Sequence, residues 1–229
     1  MLARWRNTLF IAPLLCAASC SQSPNQDLLE AIKAQDTKLV EQILSTGNVD
    51  FDPPREPESF ETPLAYAAAY GNVEITRLLL EAGAHIGGKV LYGDTPLGLA
   101  LINDNRDVVR YLIDQGADVN APGDYGTTPF TGVCAQGDFE FVKLCVEHGG
   151  NINRSYPDKT SPDQLTWSPL QFAVAKGATD IVKLLVENGG DPTMKDSEGN
   201  TCMDIASEQG HQEILELLQA SVPNQELNE

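Results

Sequence analysis

The sequence predicts an all-α solenoid, a stack of about six helix–turn–helix units. Three observations predict it. Similar stretches begin at Thr62-Pro63-Leu64, Thr95-Pro96-Leu97, Thr128-Pro129-Phe130, Ser168-Pro169-Leu170 and Thr201-Cys202-Met203, and their first residues stand 33, 33, 40 and 33 positions apart. Self-similarity at such a period marks a repeat architecture. Each stretch opens with a run of small and apolar residues and follows it with an apolar run at helical spacing, such as Ile75, Leu78 and Leu79. Glycine punctuates most units, at Gly71, Gly137 and Gly210 between the two runs and at Gly83, Gly116, Gly149 and Gly189 near their ends. The chain has 229 residues, 41% of them hydrophobic, which suits a sizeable core and excludes a disordered tail.

The first element reads as an address. Met1–Asn7 carries Arg4 and Arg6 and no acid, and Thr8–Ala18 is an apolar run. That run is shorter than the roughly 20 residues a membrane-spanning helix needs. Small residues Ala17, Ala18 and Ser19 follow, so residues 1–19 are expected to be a secretory signal peptide. Ala17-Ala18-Ser19-Cys20 resembles the lipobox of bacterial lipoproteins, which implies lipidation at Cys20. Ser21, not Asp, follows the cysteine; by the same resemblance this favours the periplasmic side of the outer membrane. Ordinary cleavage with a soluble periplasmic product stays open. Residues 20–26 are expected to be a lipidated cysteine with a short polar tether, reaching at most about 20 Å.

The repeats then fill residues 27–219, starting near 27, 62, 95, 128, 168 and 201, and leave 220–229 as a polar tail. In one unit, Thr or Ser caps the first helix and Pro suits its first turn. Ala65, Ala67, Ala68 and Ala69 line that helix, letting neighbouring units approach closely. Val73–Leu80, Val108–Ile113, Phe139–Val146, Ile181–Val186 and Ile214–Leu218 read as second helices. Gly83 suits the left-handed turn that ends one of them. No single pair buries its apolar face alone, so the pairs must stack.

The period, the Thr-Pro-Leu starts, the Ala-rich first helix, the mid-unit Gly and the terminal Gly-Ala or Gly-Gly resemble the ankyrin repeat. Leu28–Gly47 repeats the spacing without the Thr-Pro start and reads as an amino-terminal cap; Thr201–Gln219 reads as the carboxy-terminal cap. One departure carries a consequence. Ala65, Gly98, Thr131, Gln171 and Asp204 stand where the family often has His after Thr-Pro-Leu, so a side-chain hydrogen bond is expected to be missing and stability to be lower.

The resemblance implies a non-enzymatic binder whose partner docks on a concave side built from finger loops and first helices. That maps partner contacts onto Tyr70, Leu91, Tyr92, Asp94, Asp124, Tyr125, Tyr156 and Trp167, with Asn103, Gln136 and Lys176 along the same row. Tyr and Trp are common interface hot spots. The opposing expectation is that each aromatic packs along its own finger. The 40-residue spacing places an insertion in Arg154–Trp167, the second candidate contact; Asp50–Glu61, with Pro53, Pro54 and Pro57, is also long.

Charge narrows the partner. The net charge is −18, from 15 Lys+Arg against 33 Asp+Glu, and loss of Arg4 and Arg6 would make it more acidic still. Such a surface repels nucleic acid and anionic lipid, so membrane contact is expected only through the anchor. A protein with a basic patch is the complement. The chain is expected to be monomeric when unbound.

No constellation points to catalysis, and no cofactor is implied. His85, His148 and His211 pair with nothing at metal-ligand spacing. Neither a phosphate loop nor a Gly-x-Ser-x-Gly elbow occurs. Cys134, Cys145 and Cys202 read as buried thiols, with a Cys134–Cys145 disulfide as the alternative in an oxidising compartment. An anchor, an acidic surface and a bare binding module point to an immunity-type inhibitor of a toxin delivered to the periplasm. A periplasmic scaffold serving a resident envelope enzyme is the alternative.

Overall fold

Most helices begin where the sequence supplies a cap. The structure, a computed structural model, describes residues 24–51, 62–70, 72–88, 95–123, 126–157 and 166–222. Among them lie twelve helices in six successive pairs. The pairs are α1 (Pro24–Lys33) with α2 (Thr37–Ser45), α3 (Pro63–Tyr70) with α4 (Val73–Glu81), and α5 (Pro96–Ile102) with α6 (Arg106–Asp114). Then come α7 (Pro129–Gln136) with α8 (Phe139–Glu147), α9 (Pro169–Lys176) with α10 (Thr179–Glu187), and α11 (Cys202–Glu208) with α12 (Gln212–Ser221). The hydroxyls of Thr95, Thr128, Ser168 and Thr201 each accept the N–H three residues on, and Pro opens the first three of those helices. Asp36, Asn72 and Asp138 cap α2, α4 and α8 in the same way, whereas α6, α10 and α12 begin without a side-chain cap. Each such cap contributes about 1 kcal/mol.

Odd-numbered helices stack on odd, and even on even, each touching its neighbour along the chain. The core lies between the two rows. Leu64, Leu97, Phe130 and Leu170 fill it from the first helices, and Ile75, Val108, Phe141 and Ile181 from the second. Burying each such side chain is worth about 1.5–3 kcal/mol. Asparagines stitch the finger turns together across the joints. Asn120 donates to the Gly149 carbonyl at 3.0 Å and accepts from the Asn151 N–H at 2.8 Å. Asn153 repeats this with Gly189 at 2.8 Å and Asp191 at 2.9 Å.

Four details differ from the sequence expectations. Helix α1 begins at Pro24, inside the segment read as tether, because Leu28, Ala31 and Ile32 need a helical face to reach the core. Helix α12 runs to Ser221, past Gln219, with the Ser221 hydroxyl donating back to the Leu218 carbonyl at 2.7 Å. The insertion holds two short antiparallel strands, β1 (Tyr156–Pro157) and β2 (Thr166–Trp167), with Tyr156 opposite Trp167. The fourth is the expected loss of a hydrogen bond where His is missing. At three units the substitute side chain closes a capping box: Thr131, Gln171 and Asp204 accept the N–H of Thr128, Ser168 and Thr201. Gln171 also donates to the carbonyls of Met194 at 3.2 Å and Asn200 at 3.4 Å in the next finger.

Candidate protein-binding face

The odd-numbered helices give this face its chemistry. Helices α3, α5 and α7 contain no charged residue at all, whereas every even-numbered helix carries several or at least two. Their sequences, PLAYAAAY, PLGLALI and PFTGVCAQ, offer only apolar and uncharged polar side chains. On a chain of net charge −18, this makes a neutral strip against an acidic body. Interface cores are likewise depleted of charge and rimmed by polar groups.

Tyr70, Asn103, Gln136 and Lys176, the row anticipated from the repeat, are all exposed at the ends of successive first helices. Tyr70 is 44% exposed and stacks on Tyr66 at 6.2 Å between ring centres. Lys33 lies 4.8 Å over the Tyr66 ring, and Gln35 donates to the Tyr70 carbonyl at 3.2 Å. The aromatic pair is therefore braced by the first unit.

Trp167 behaves differently. It is half-buried, its indole N–H donates to the Asp196 carboxylate at 3.2 Å, and its ring meets Phe172 edge-on at 5.3 Å. Asp196, itself buried, also accepts the N–H groups of Glu198 at 2.9 Å and Asn200 at 2.8 Å. Trp167 thus ties the base of the insertion to the next finger, with its polar handle already engaged. Tyr156 is placed opposite Trp167 by its backbone alone. Leu91, Tyr92, Asp94, Asp124, Tyr125 and the lipidation candidate Cys20 lie outside the described residues.

The row omitted Ile102, which is 67% exposed. Its signal was present in the repeat: Ala69, Ala135 and Ala175 occupy the corresponding places, and a bulky aliphatic residue there has no core to enter. Ile102 borders a small cleft of about 90 Å³ between α5 and α7.

Cys134, Cys145 and Cys202 are buried free thiols; no bond joins Cys134 to Cys145. Burial pushes all three up, Cys145 and Cys202 to about 12, and the neighbouring Cys145 raises Cys134 further. Thiols held protonated are poor nucleophiles and poor metal ligands. Among the described residues no group of three or more His, Cys, Asp or Glu is placed to hold a metal ion, and no helix is long and apolar enough to cross a membrane.

Stacked helix pairs, finger turns and a neutral strip of first helices define a helical-repeat domain built for contact with another protein. Comparison with known proteins supplies the family. A model of ankyrin repeats in three copies matches residues 28–123 and 132–228, and a second ankyrin model matches 105–144. The chain belongs to the ankyrin-repeat family, whose domains are protein-interaction modules. The solved ankyrin repeat protein EF0377 is 30% identical, with 85% of this chain and 97% of that one covered at a TM-score of 0.73. An ankyrin repeat domain from Acinetobacter baumannii AYE is 27% identical, with 85% and 96% covered and a TM-score of 0.73. The ankyrin domain of Bcl-3, a member of the IkappaB protein family, is 23% identical, with 89% and 87% covered and a TM-score of 0.74, and shares the fold. A search of curated protein sequences gave no match.

Proposed function

We propose that this chain is an envelope-anchored inhibitor of the immunity type, which binds and neutralises a toxin delivered to the periplasm. The partner docks on the first-helix face. The observation that carries this reading is the uncharged strip of α3, α5 and α7 on a strongly acidic chain. A desolvated neutral centre supplies affinity, and surrounding carboxylates steer and orient a basic partner. The signal-like residues 1–19 and the lipobox-like Ala17–Cys20 support placement at the periplasmic side of the outer membrane, through lipid on Cys20. The open thiols are compatible with that compartment, because buried protonated sulfur resists oxidation.

The test deletes the gene from its own cells and mixes them with sibling cells that retain it. The deletion strain is expected to be killed, and restored by the wild-type gene but not by a Tyr70→Ala, Ile102→Ser variant. Survival of the deletion strain under every delivery condition rejects the immunity reading. Stable capture of a resident envelope enzyme in the same cells would put the scaffold reading in its place.

A further inference from the structure

The stack is loosest at one joint. Helices α5 and α7 approach each other over a shorter stretch than any other successive pair of first helices, and α6 and α8 do so among the second helices. The fourth unit also has the bulkier core: Phe130 and Phe141 stand at core positions that hold Leu or Met and Ile or Val in the other full units. Gly150 makes room for one of them, since a Cβ at that position would lie 2.9 Å from the Phe130 ring. Arg106 closes the outer side: it donates to the Asp138 carboxylate at 2.5 Å and lies 4.4 Å over the Phe141 ring.

The inner side stays open. Gly98, Leu101 and Ile102 of α5 face Pro129, Gly132 and Gln136 of α7 across the cleft of about 90 Å³. A Cβ added at Gly132 would meet nothing within 4 Å. Among the described residues no charged side chain lines the cleft. Its volume falls far below the roughly 300–1,000 Å³ of pockets for drug-sized ligands, so one side chain is its natural occupant.

We infer that this cleft receives a single bulky apolar side chain from a cationic segment of a partner protein. It rests on the reading of the first-helix face as the docking face, and it names what that face recognises. Charge complementarity selects the partner. The chain is at −18, the described lining of the cleft is uncharged, and Asp104, two residues beyond Ile102 and 3.8 Å from the Arg106 guanidinium, has a side chain 83% exposed. A buried apolar anchor surrounded by steering charge is the arrangement of an interface hot spot. Glycines at Gly98 and Gly132 weaken their helices, and the cleft they leave gives them a use.

The experiment selects random short peptides displayed on phage against the full chain. Enriched peptides are expected to carry Lys or Arg around one fixed Leu, Ile, Phe or Trp. Their affinity should fall at least about tenfold against Gly132→Phe, which fills the cleft, and about as much when the fixed residue becomes Ala. Gly132→Ala adds one methyl group in open space and should change affinity less than about threefold. Circular dichroism and melting of both variants confirm that the repeats remain folded. Enrichment of acidic peptides, of peptides without a fixed apolar residue, or of none overturns the proposal. So does equal binding to Gly132→Phe. If that binding is lost on Tyr70→Ala, the docking face stands and the cleft falls; if it is indifferent to both, the docking face falls as well.

Discussion

Single residues show where the repeat departs from its own rule. Between the two helices of a unit, Gly137, Gly177 and Gly210 hold φ near +81°, +74° and +74°. Gln35 and Asp104 occupy the equivalent turns at φ +54°. A side chain in that region costs about 1 kcal/mol or more, less for Asp than for most residues. Asp104→Gly is therefore expected to stabilise the chain by about 0.5–1 kcal/mol and to raise its melting temperature by about 2 °C. A fall in melting temperature would show that the Asp104 carboxylate contributes more than its turn costs. The cysteines give a second expectation at this scale. In a chain with Cys16→Ser and Cys20→Ser, a disulfide reagent at neutral pH should leave Cys134, Cys145 and Cys202 unmodified until denaturant is added. Their raised ionisation also means that stability is complete below the ordinary thiol range and is lost as pH rises from about 9 towards 12. Immediate reaction of the native thiols would contradict their burial. Burial of each thiol followed from its slot in a helix, whereas the exposure of Ile102 is legible only by aligning the units, where Ala69, Ala135 and Ala175 stand at its place.

At the scale of elements, most helix starts were legible because Thr, Ser, Asp or Asn stands at the cap, and Pro opens α5, α7 and α9 besides. The capping boxes were legible only in part: Ser168 with Gln171 has the usual Ser-x-x-Gln spacing, whereas Thr131 and Asp204 are less usual partners at that place. The hairpin was missed because strands of two residues have no period to detect. Trp167 was legible as a prominent side chain but not as a brace, since its partner Asp196 lies 29 positions away. Cross-joint pairs share this difficulty. Asp138 caps α8 by accepting from Phe141 and also holds Arg106 of the preceding unit. Burial pushes its carboxyl up, but the Arg106 hydrogen bond and the Phe141 N–H outweigh that and hold it below the usual carboxylate range. The unfolded chain then binds the proton more readily, so this stability is complete above about pH 4 and is lost as pH falls through the folded value. Asp138→Ala should cost about 1–2 kcal/mol at pH 7. The difference between wild type and variant should shrink below pH 4. Denaturant melts of both chains across that range check it, and a constant difference would separate the cap from the charge.

The whole molecule was legible as a stack because each unit repeats one pattern, but how the units divide the core was not. Buried side chains fall into two clusters. Leu28, Ile32, Val40, Leu64, Ile75 and Leu79 make up most of the first, from α1 to α4. The second runs from Ala68 and Leu97 to Leu218 and holds the remaining units. In a solenoid each unit is stabilised by its own pair and by its neighbours, so a boundary in the core is a place where cooperativity weakens. The docking face straddles that boundary, with Tyr66 and Tyr70 on one side and Ile102 and the cleft on the other. Leu64 is fully buried in the smaller cluster, and Leu64→Ala should cost about 2–5 kcal/mol. That loss falls on a cluster with few other large side chains. Hydrogen exchange of this variant is expected to show lost protection in residues 24–88 while 95–222 keep theirs. Leu170→Ala, in the larger cluster, should leave the order of opening unchanged, with the first two units still the first to exchange. Loss of protection along the whole chain in Leu64→Ala would mean that Ala68 and Leu80, which reach across the boundary, are enough to make one cooperative unit. In that case a partner gripping Tyr70 and Ile102 together would meet a rigid face. In the expected case it would also order the first two units, and binding should restore their protection.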